Sequence, residues 1–197
     1  MALTGNLSGN TMTYSLTEKA ADTTTRFTAT WTVVLRHGAS TGQATVSHSV
    51  TITNPTASPL TLSLFHYLDY DLDDNSAGHS ATGGLAGMTI TNGVTKGTYT
   101  PVTGASAFQA SAGFPPLDVS LLDDQVTNLN GSGLPMSNDD WTGAYQWDLT
   151  IPAGGSATID FDMAVTPAPE PGAVLALAAA GLGLLGKARR ARLTPRG

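Results

Sequence analysis

The chain has 197 residues, 41% hydrophobic and only 12% charged, with no cysteine and a net charge of −6. That length fits one ordinary domain plus an appendage, and the absence of cysteine excludes disulfides, thiolate nucleophiles and Cys-ligated zinc. Residues 1–165 hold 14 acids and 4 bases, a net of −10, which argues against nucleic-acid binding because phosphate contacts need Lys and Arg.

Met1-Ala2-Leu3-Thr4-Gly5-Asn6 has neither the basic nor the apolar region of an export signal. The start is therefore expected to lie downstream of the true one, or to follow a removed signal peptide. Phe27–Leu35 and Ala44–Thr53 read as strands, rich in β-branched and aromatic residues. Asn54–Pro59 is turn chemistry with two prolines. Leu60–Leu72 alternates: Leu60, Leu62, Leu64, His66 and Leu68 share one face, while Asp69, Asp71 and Asp73 share the other. Asp74–Gly87 reads as loop. Met88–Thr91 should turn through Asn92-Gly93 onto Lys96–Val102. Gly104–Pro116 reads as irregular, Val119–Leu122 is too short to assign, and residues 123–140 read as a surface loop. Gly143–Ile151 and Ser156–Val165 form two closing strands about the turn Pro152-Ala153-Gly154-Gly155. Roughly eight to ten strands separated by turns predict an all-β domain, a two-layer β-sandwich or a jelly roll.

The body offers few chemical groupings. Asp69-Tyr70-Asp71-Leu72-Asp73-Asp74-Asn75 is the densest acidic run. Alternation would place Asp69, Asp71 and Asp73 on one strand face leading into a loop with Asp74, hard oxygen ligands of the kind that suit Ca2+. An EF-hand is not implied: its sixth position would be Asp74 and its twelfth Ser80, between strands. A solvated strand end that resists edge pairing accounts for the same run, and a glycosidase-like carboxylate couple is a third reading. Gly38-Ala39-Ser40-Thr41-Gly42 matches the pattern of a nucleophile elbow, but its strand flanks favour a hairpin loop. His37, His48, His66 and His79 show no paired metal spacing, and His66 falls on an apolar face as a core residue. Trp31 and Trp147 belong to the expected core, whereas Trp141, beside Asp139-Asp140, is the candidate for stacking on a sugar. Thr-x-Thr runs (Thr28, Thr30, Thr32; Thr51, Thr53) suit an ice-binding face, but ordinary β-propensity explains them.

The last residues are more specific. Thr166-Pro167-Ala168-Pro169 is a stiff linker leading into Pro169-Glu170-Pro171, in which the prolines keep Glu170 extended. Gly172–Gly186 is 15 residues without a charge, short of the roughly 20 of a comfortable membrane span, although Lys187 and Arg189 can snorkel to lengthen it. The basic end Lys187, Arg189, Arg190, Arg192 would stay cytoplasmic, leaving the acidic domain outside. Arginines after the apolar run argue against a GPI signal.

This tail resembles the PEP-CTERM sorting signal of Gram-negative bacteria, in which a Pro-Glu-Pro motif precedes a transmembrane helix and an Arg-rich end. The matching residues are Pro169-Glu170-Pro171, the run from Gly172, and Arg189-Arg190, about a sixth of the chain. In the body, Leu60–Asp69 and Tyr145–Ile151 with Gly154-Gly155-Ser156-Ala157 are also similar to exported proteins of this kind. The resemblance implies processing by an exosortase, a transient stay in the inner membrane through residues 172–186, and delivery to the cell surface or the extracellular polysaccharide. It divides the chain into an exported domain (1–165), a linker with the motif (166–171), a transmembrane helix (172–186) and a cytoplasmic tail (187–197). The expected role is structural or adhesive and non-enzymatic. A carbohydrate- or Ca2+-binding module is the alternative, and a glycoside hydrolase-like enzyme a lesser one.

Overall fold

Alternation of apolar and hydroxyl-bearing residues dominates the chain, and the computed structural model folds almost wholly as antiparallel strands. It describes residues 2–74, 77–93, 95–113, 116–122 and 127–167. The Pro-Glu-Pro motif, the apolar run 172–186 and the basic end lie outside them. Among the described residues no helix is long and apolar enough to cross a membrane.

The strands are β1 (Ala2–Ser8), β2 (Thr11–Lys19), β3 (Thr25–His37), β4 (Ala44–Thr53), β5 (Leu60–Asp69), β6 (His79–Gly84), β7 (Gly87–Asn92), β8 (Thr95–Pro101), β9 (Ala107–Ala112), β10 (Met136–Asp139), β11 (Trp141–Ile151) and β12 (Ser156–Thr166), with one short helix, α1 (Pro116–Leu122). They form two sheets. The wide one has nine strands in the order β1-β2-β3-β4-β12-β8-β7-β6-β10, and the narrow one has three in the order β5-β11-β9. Residues up to Thr166 form one compact unit.

Several expectations change. Leu60–Leu72 is not one strand: β5 ends at Asp69, and Leu72–Asp74 is a 3-10 turn in which Asp73 has φ 61°. Asp74–Gly87 contains strand β6, Gly104–Pro116 contains β9, and α1 covers the stretch at Val119–Leu122. Two N-terminal strands, β1 and β2, precede the first predicted one.

The period of two sorts each strand of the wide sheet into an inner and an outer set. The register aligns the rows Leu7–Met12–Val33–His48–Phe161 and Gly5–Tyr14–Trp31–Val50–Ile159 on the inner face. Between them on the outer face runs Asn6–Thr13–Thr32–Ser49–Asp160, and beyond them the outer rows are Thr4–Ser15–Thr30–Thr51–Thr158 and Thr17–Thr28–Thr53–Ser156. Thr51 and Thr158 are hydrogen-bonded at 2.9 Å, and Thr53 and Ser156 at 2.8 Å.

The narrow sheet is covered on both sides along the first part of β11. Its inner face packs Leu62, Leu64, Leu68, Tyr145 and Trp147 into the main core, and Phe65, Tyr67 and Ala144 on its outer face meet Leu117 of α1 and Leu129. This explains why the first seven residues of β11 are all buried, a pattern expected of strands covered on two faces.

Asn54, fully buried at the crossing from β4 to the narrow sheet, fastens the two layers at one end. Its amide nitrogen donates to the carbonyls of Ser58 (2.8 Å), Ile151 (3.1 Å) and Pro152 (3.1 Å), and its oxygen accepts from the Thr56 backbone N–H (3.0 Å) and hydroxyl (2.7 Å). Asn54→Ala leaves those buried groups unpaired, so urea unfolding should show a loss of about 3 kcal/mol. Unchanged stability would remove Asn54 as the fastening point.

Candidate functional site

Two places gather chemistry: an acidic corner at the end of β5 and an apolar cleft where the wide sheet runs past β5. At the corner, the β5–β11 register sets Thr142 opposite Asp69. Asp140, just before β11, thereby comes to the end of β5 from far along the chain. Asp69, Asp71 and Asp140 each offer a carboxylate oxygen within 4.8 Å of the others. Asp69's carboxyl is pushed above the ordinary range, first by partial burial and then by Asp71 and Asp140, with His79 opposing. Tyr67 nearby is pushed up to about 12, mainly by burial and then by Asp69.

Of the predicted ligands, Asp69 and Asp71 are brought together. Asp73 is not on their strand face: its carboxylate accepts the Thr95 hydroxyl at 2.8 Å. The Asp74 side chain lies outside the described residues. Asp140 takes no part in the acidic run of the sequence, because only the pairing of β11 with β5 recruits it. Three such oxygens are a donor set that hard cations accept, and without a cation they repel one another.

The Trp141 expectation is overturned, while Trp147 is in the core as expected. Trp141 opens β11 with no exposure and packs against Tyr70 with ring centroids 6.2 Å apart, so it offers no stacking platform. Asp139 stays exposed and Asp140 half-buried, while strand alternation turns the indole inward. Trp147 is also buried. Ser40 lies in the turn joining β3 to β4, which lacks the strand-to-helix geometry of a nucleophile elbow.

Two of the four histidines meet inside the sandwich. His48 stacks on Phe161, 4.5 Å between centroids and 9° from parallel, and His66 lies 4.3 Å from the same ring. His48 Nδ1 accepts the Trp31 indole N–H at 3.1 Å. With its proton on Nδ1, His66 donates to the Tyr99 hydroxyl at 2.7 Å, and that hydroxyl donates to the His66 carbonyl at 3.0 Å. Burial holds His66 down at about 4, helped by His48, and burial also lowers His48 against the pull of Asp162. Both rings are neutral at pH 7. His79, also buried, faces the backbone N–H groups of Leu72 (3.3 Å) and Trp141 (3.4 Å). An imidazole offers at most one acceptor nitrogen, so at most one of these long contacts is a hydrogen bond.

The cleft opens beside this aromatic cluster. It encloses about 450 Å³ between Tyr14, Leu16, Phe27, Trp31 and Val50 of the wide sheet and Leu62–His66 of β5. Its lining is apolar, with His66 as the main polar group. Sequence reasoning missed it because β2 had not been assigned, although Met12, Tyr14 and Leu16 carry the period-two signal. No known family model matches the chain, and no curated protein matches it.

The His66 ring gives a pH signature. Its folded-state pKa of about 4 lies below the ordinary 6.5, so the unfolded chain binds the proton more readily. The stability it supports is complete above pH 6.5 and is lost as pH falls toward 4, by about 3 kcal/mol. Thermal melts across that window should show this slope, and His66→Gln should flatten it. An equal slope in the variant would assign the acid sensitivity elsewhere.

Proposed function

We propose that this is an exported, non-enzymatic protein of the cell surface or extracellular matrix, sorted by its C-terminal signal and adhesive through its β domain. The route rests on the order of Pro169-Glu170-Pro171, the apolar run 172–186 and the basic end Lys187, Arg189, Arg190, Arg192. An extended Pro-Glu-Pro segment held just outside a membrane is a substrate a membrane protease can bind. The partners on this reading are an exosortase, membrane lipid during transit, and extracellular polysaccharide at the destination.

The observation that supports the adhesive role is the outer face of the wide sheet. Rows such as Ser15–Thr30–Thr51–Thr158 present hydroxyls in register without an intervening charge. Such rows, with Asp160 and Asp162 of β12 on the same face, can exchange hydrogen bonds with a polysaccharide over many weak contacts. A second reading, a Ca2+-dependent binding module, is favoured by the convergence of Asp69, Asp71 and Asp140.

The route is tested by intact mass from the native host, with and without its exosortase. A mature product ending near Pro169–Gly172 is expected only when the enzyme is present, and an intact C-terminus in both strains overturns the sorting reading. Co-sedimentation with host polysaccharide separates the two roles. If the hydroxyl face binds, Thr30→Val/Thr51→Val/Thr158→Val should reduce retention several-fold, and a chelator should change nothing. If the acidic corner binds through Ca2+, the chelator and Asp140→Asn should abolish retention and the threonine variant should keep it. Retention lost in neither case removes both roles.

A further inference from the structure

We infer that His48 and Trp31 form an acid-operated latch: a proton added to His48 turns the Trp31 indole into the apolar cleft and closes it. The latch follows from where that proton can bind. The Trp31 indole N–H donates to His48 Nδ1 at 3.1 Å. A ring nitrogen that accepts carries no hydrogen, so the neutral imidazole holds its proton on Nε2, an atom buried without a partner. The one lone pair left for a second proton is the pair that the indole occupies. Protonation therefore sets N–H against N–H, and the bond does not survive it.

One of the two rings then has to move. His48 is stacked on Phe161 at 4.5 Å between centroids and 9° from parallel, and an imidazolium over an aromatic face is attracted to it. Trp31 is held more loosely, with its centroid 5.9 Å from Tyr14, 5.6 Å from His48 and 6.0 Å from His66. Those rings crowd it, and its remaining surface lines the cleft, where about 450 Å³ is open to receive it. Leu62 and Leu64 of β5 line the same space from the other layer.

The titratable groups around the pair come from four strands. His66 of β5 lies 5.5 Å from His48 between centroids. Asp162, on the outer face of β12, favours the charged form of His48, but burial outweighs it and holds the titration below the ordinary 6.5. Tyr99 of β8 bonds to His66, and burial pushes its phenol above the ordinary value, so it stays neutral in acid. Tyr14 of β2 borders Trp31. Two adjacent imidazoles resist charging together. His66 is the later to charge, held at about 4 by burial and then by the charge on His48. The latch thus works below pH 6.5 and above about 4, with His48 charged and His66 neutral.

The test is nuclear magnetic resonance of the full 15N-labelled chain from pH 7 down to about pH 4.5. Trp31→Phe identifies the Trp31 indole among the three tryptophans. At pH 7 His48 should show a protonated Nε2 and a bare Nδ1. On acidification the Trp31 indole proton should lose its hydrogen-bonded shift in step with protonation of Nδ1, and cross-relaxation from its ring to Leu62 and Leu64 should grow. The Trp147 indole, which donates to the Thr103 carbonyl at 2.8 Å, should stay in place. His48→Gln still offers the indole an acceptor but does not titrate, so it should abolish the step, whereas His66→Gln should keep it. Far-UV circular dichroism checks that each variant is folded; should His48→Gln fail to fold, the His48 tautomer and His66→Gln carry the test. A proton on Nδ1 at pH 7, or a Trp31 signal that stays constant or moves only with Trp147 as the fold is lost, overturns the latch. So does a step that survives His48→Gln or vanishes in His66→Gln.

Discussion

Two neutral imidazoles against one phenyl ring hold the narrow sheet on the wide one. His66 comes from β5, His48 from β4 and Phe161 from β12, so the cluster joins three strands of two sheets. The bonds between His66 and Tyr99 satisfy polar groups that would otherwise be buried without partners. Neutral rings at close quarters behave as polarisable aromatics. Protonated ones would be two buried like charges, with 5.5 Å between centroids, a cost no neighbouring carboxylate offsets at His66. Layer contact, burial of Trp147 and Tyr145, and the shape of the cleft all follow from that packing.

The unequal strand numbers then decide where the surface carries chemistry. Over the narrow sheet, the wide one is an ordinary sandwich layer with an apolar inside. Where β5 ends the cover, the same alternation continues and exposes an apolar floor. At the far end of β5, alternation gives way to a turn, and the β11 pairing gathers acids there. Both places come from one edge strand: its free side makes the cleft and its last residue joins the acidic corner.

The sequence carried much of this in readable form. The limits of β4 and the body of β12 follow from runs of β-branched residues bounded by Pro and Gly, and Asn92-Gly93 marked the β7–β8 turn. His66 was legible as a core residue from its place among leucines. The misses have separate causes. Small residues in Ala107–Ala112 and glycines in His79–Gly84 give weak strand signals, and pairing with neighbours supplies what propensity lacks. Asp71 and Asp73 continued the alternation of β5 on paper, but the chain leaves the sheet after Asp69, where its last partner on β11 is Thr142. Asp140 joining Asp69, and Trp141 being buried beside it, depend on a pairing between distant segments that no local pattern announces.

The threonines need more than propensity. β-Branching suits Thr to a strand, but Val and Ile would suit it equally, and charged residues would keep the face soluble. Valine on the outer rows would create a second apolar face on the wide sheet and invite stacking. Lysine or glutamate there would set like charges opposite one another across strands. Hydroxyls avoid both, and pairs such as Thr51–Thr158 and Thr53–Ser156 bond laterally. Several acids of the body sit at strand ends and turns, as at Asp22, Asp69, Asp71, Asp139 and Asp140, while Asp160 and Asp162 lie within β12 on the outer face. The rows through Thr51 and Thr53 therefore stay uncharged and hydrogen-bonding, beside the two carboxylates of β12. Uncharged rows of this kind bind through many equivalent hydroxyls, which is the recognition chemistry a neutral or mixed polysaccharide presents in return.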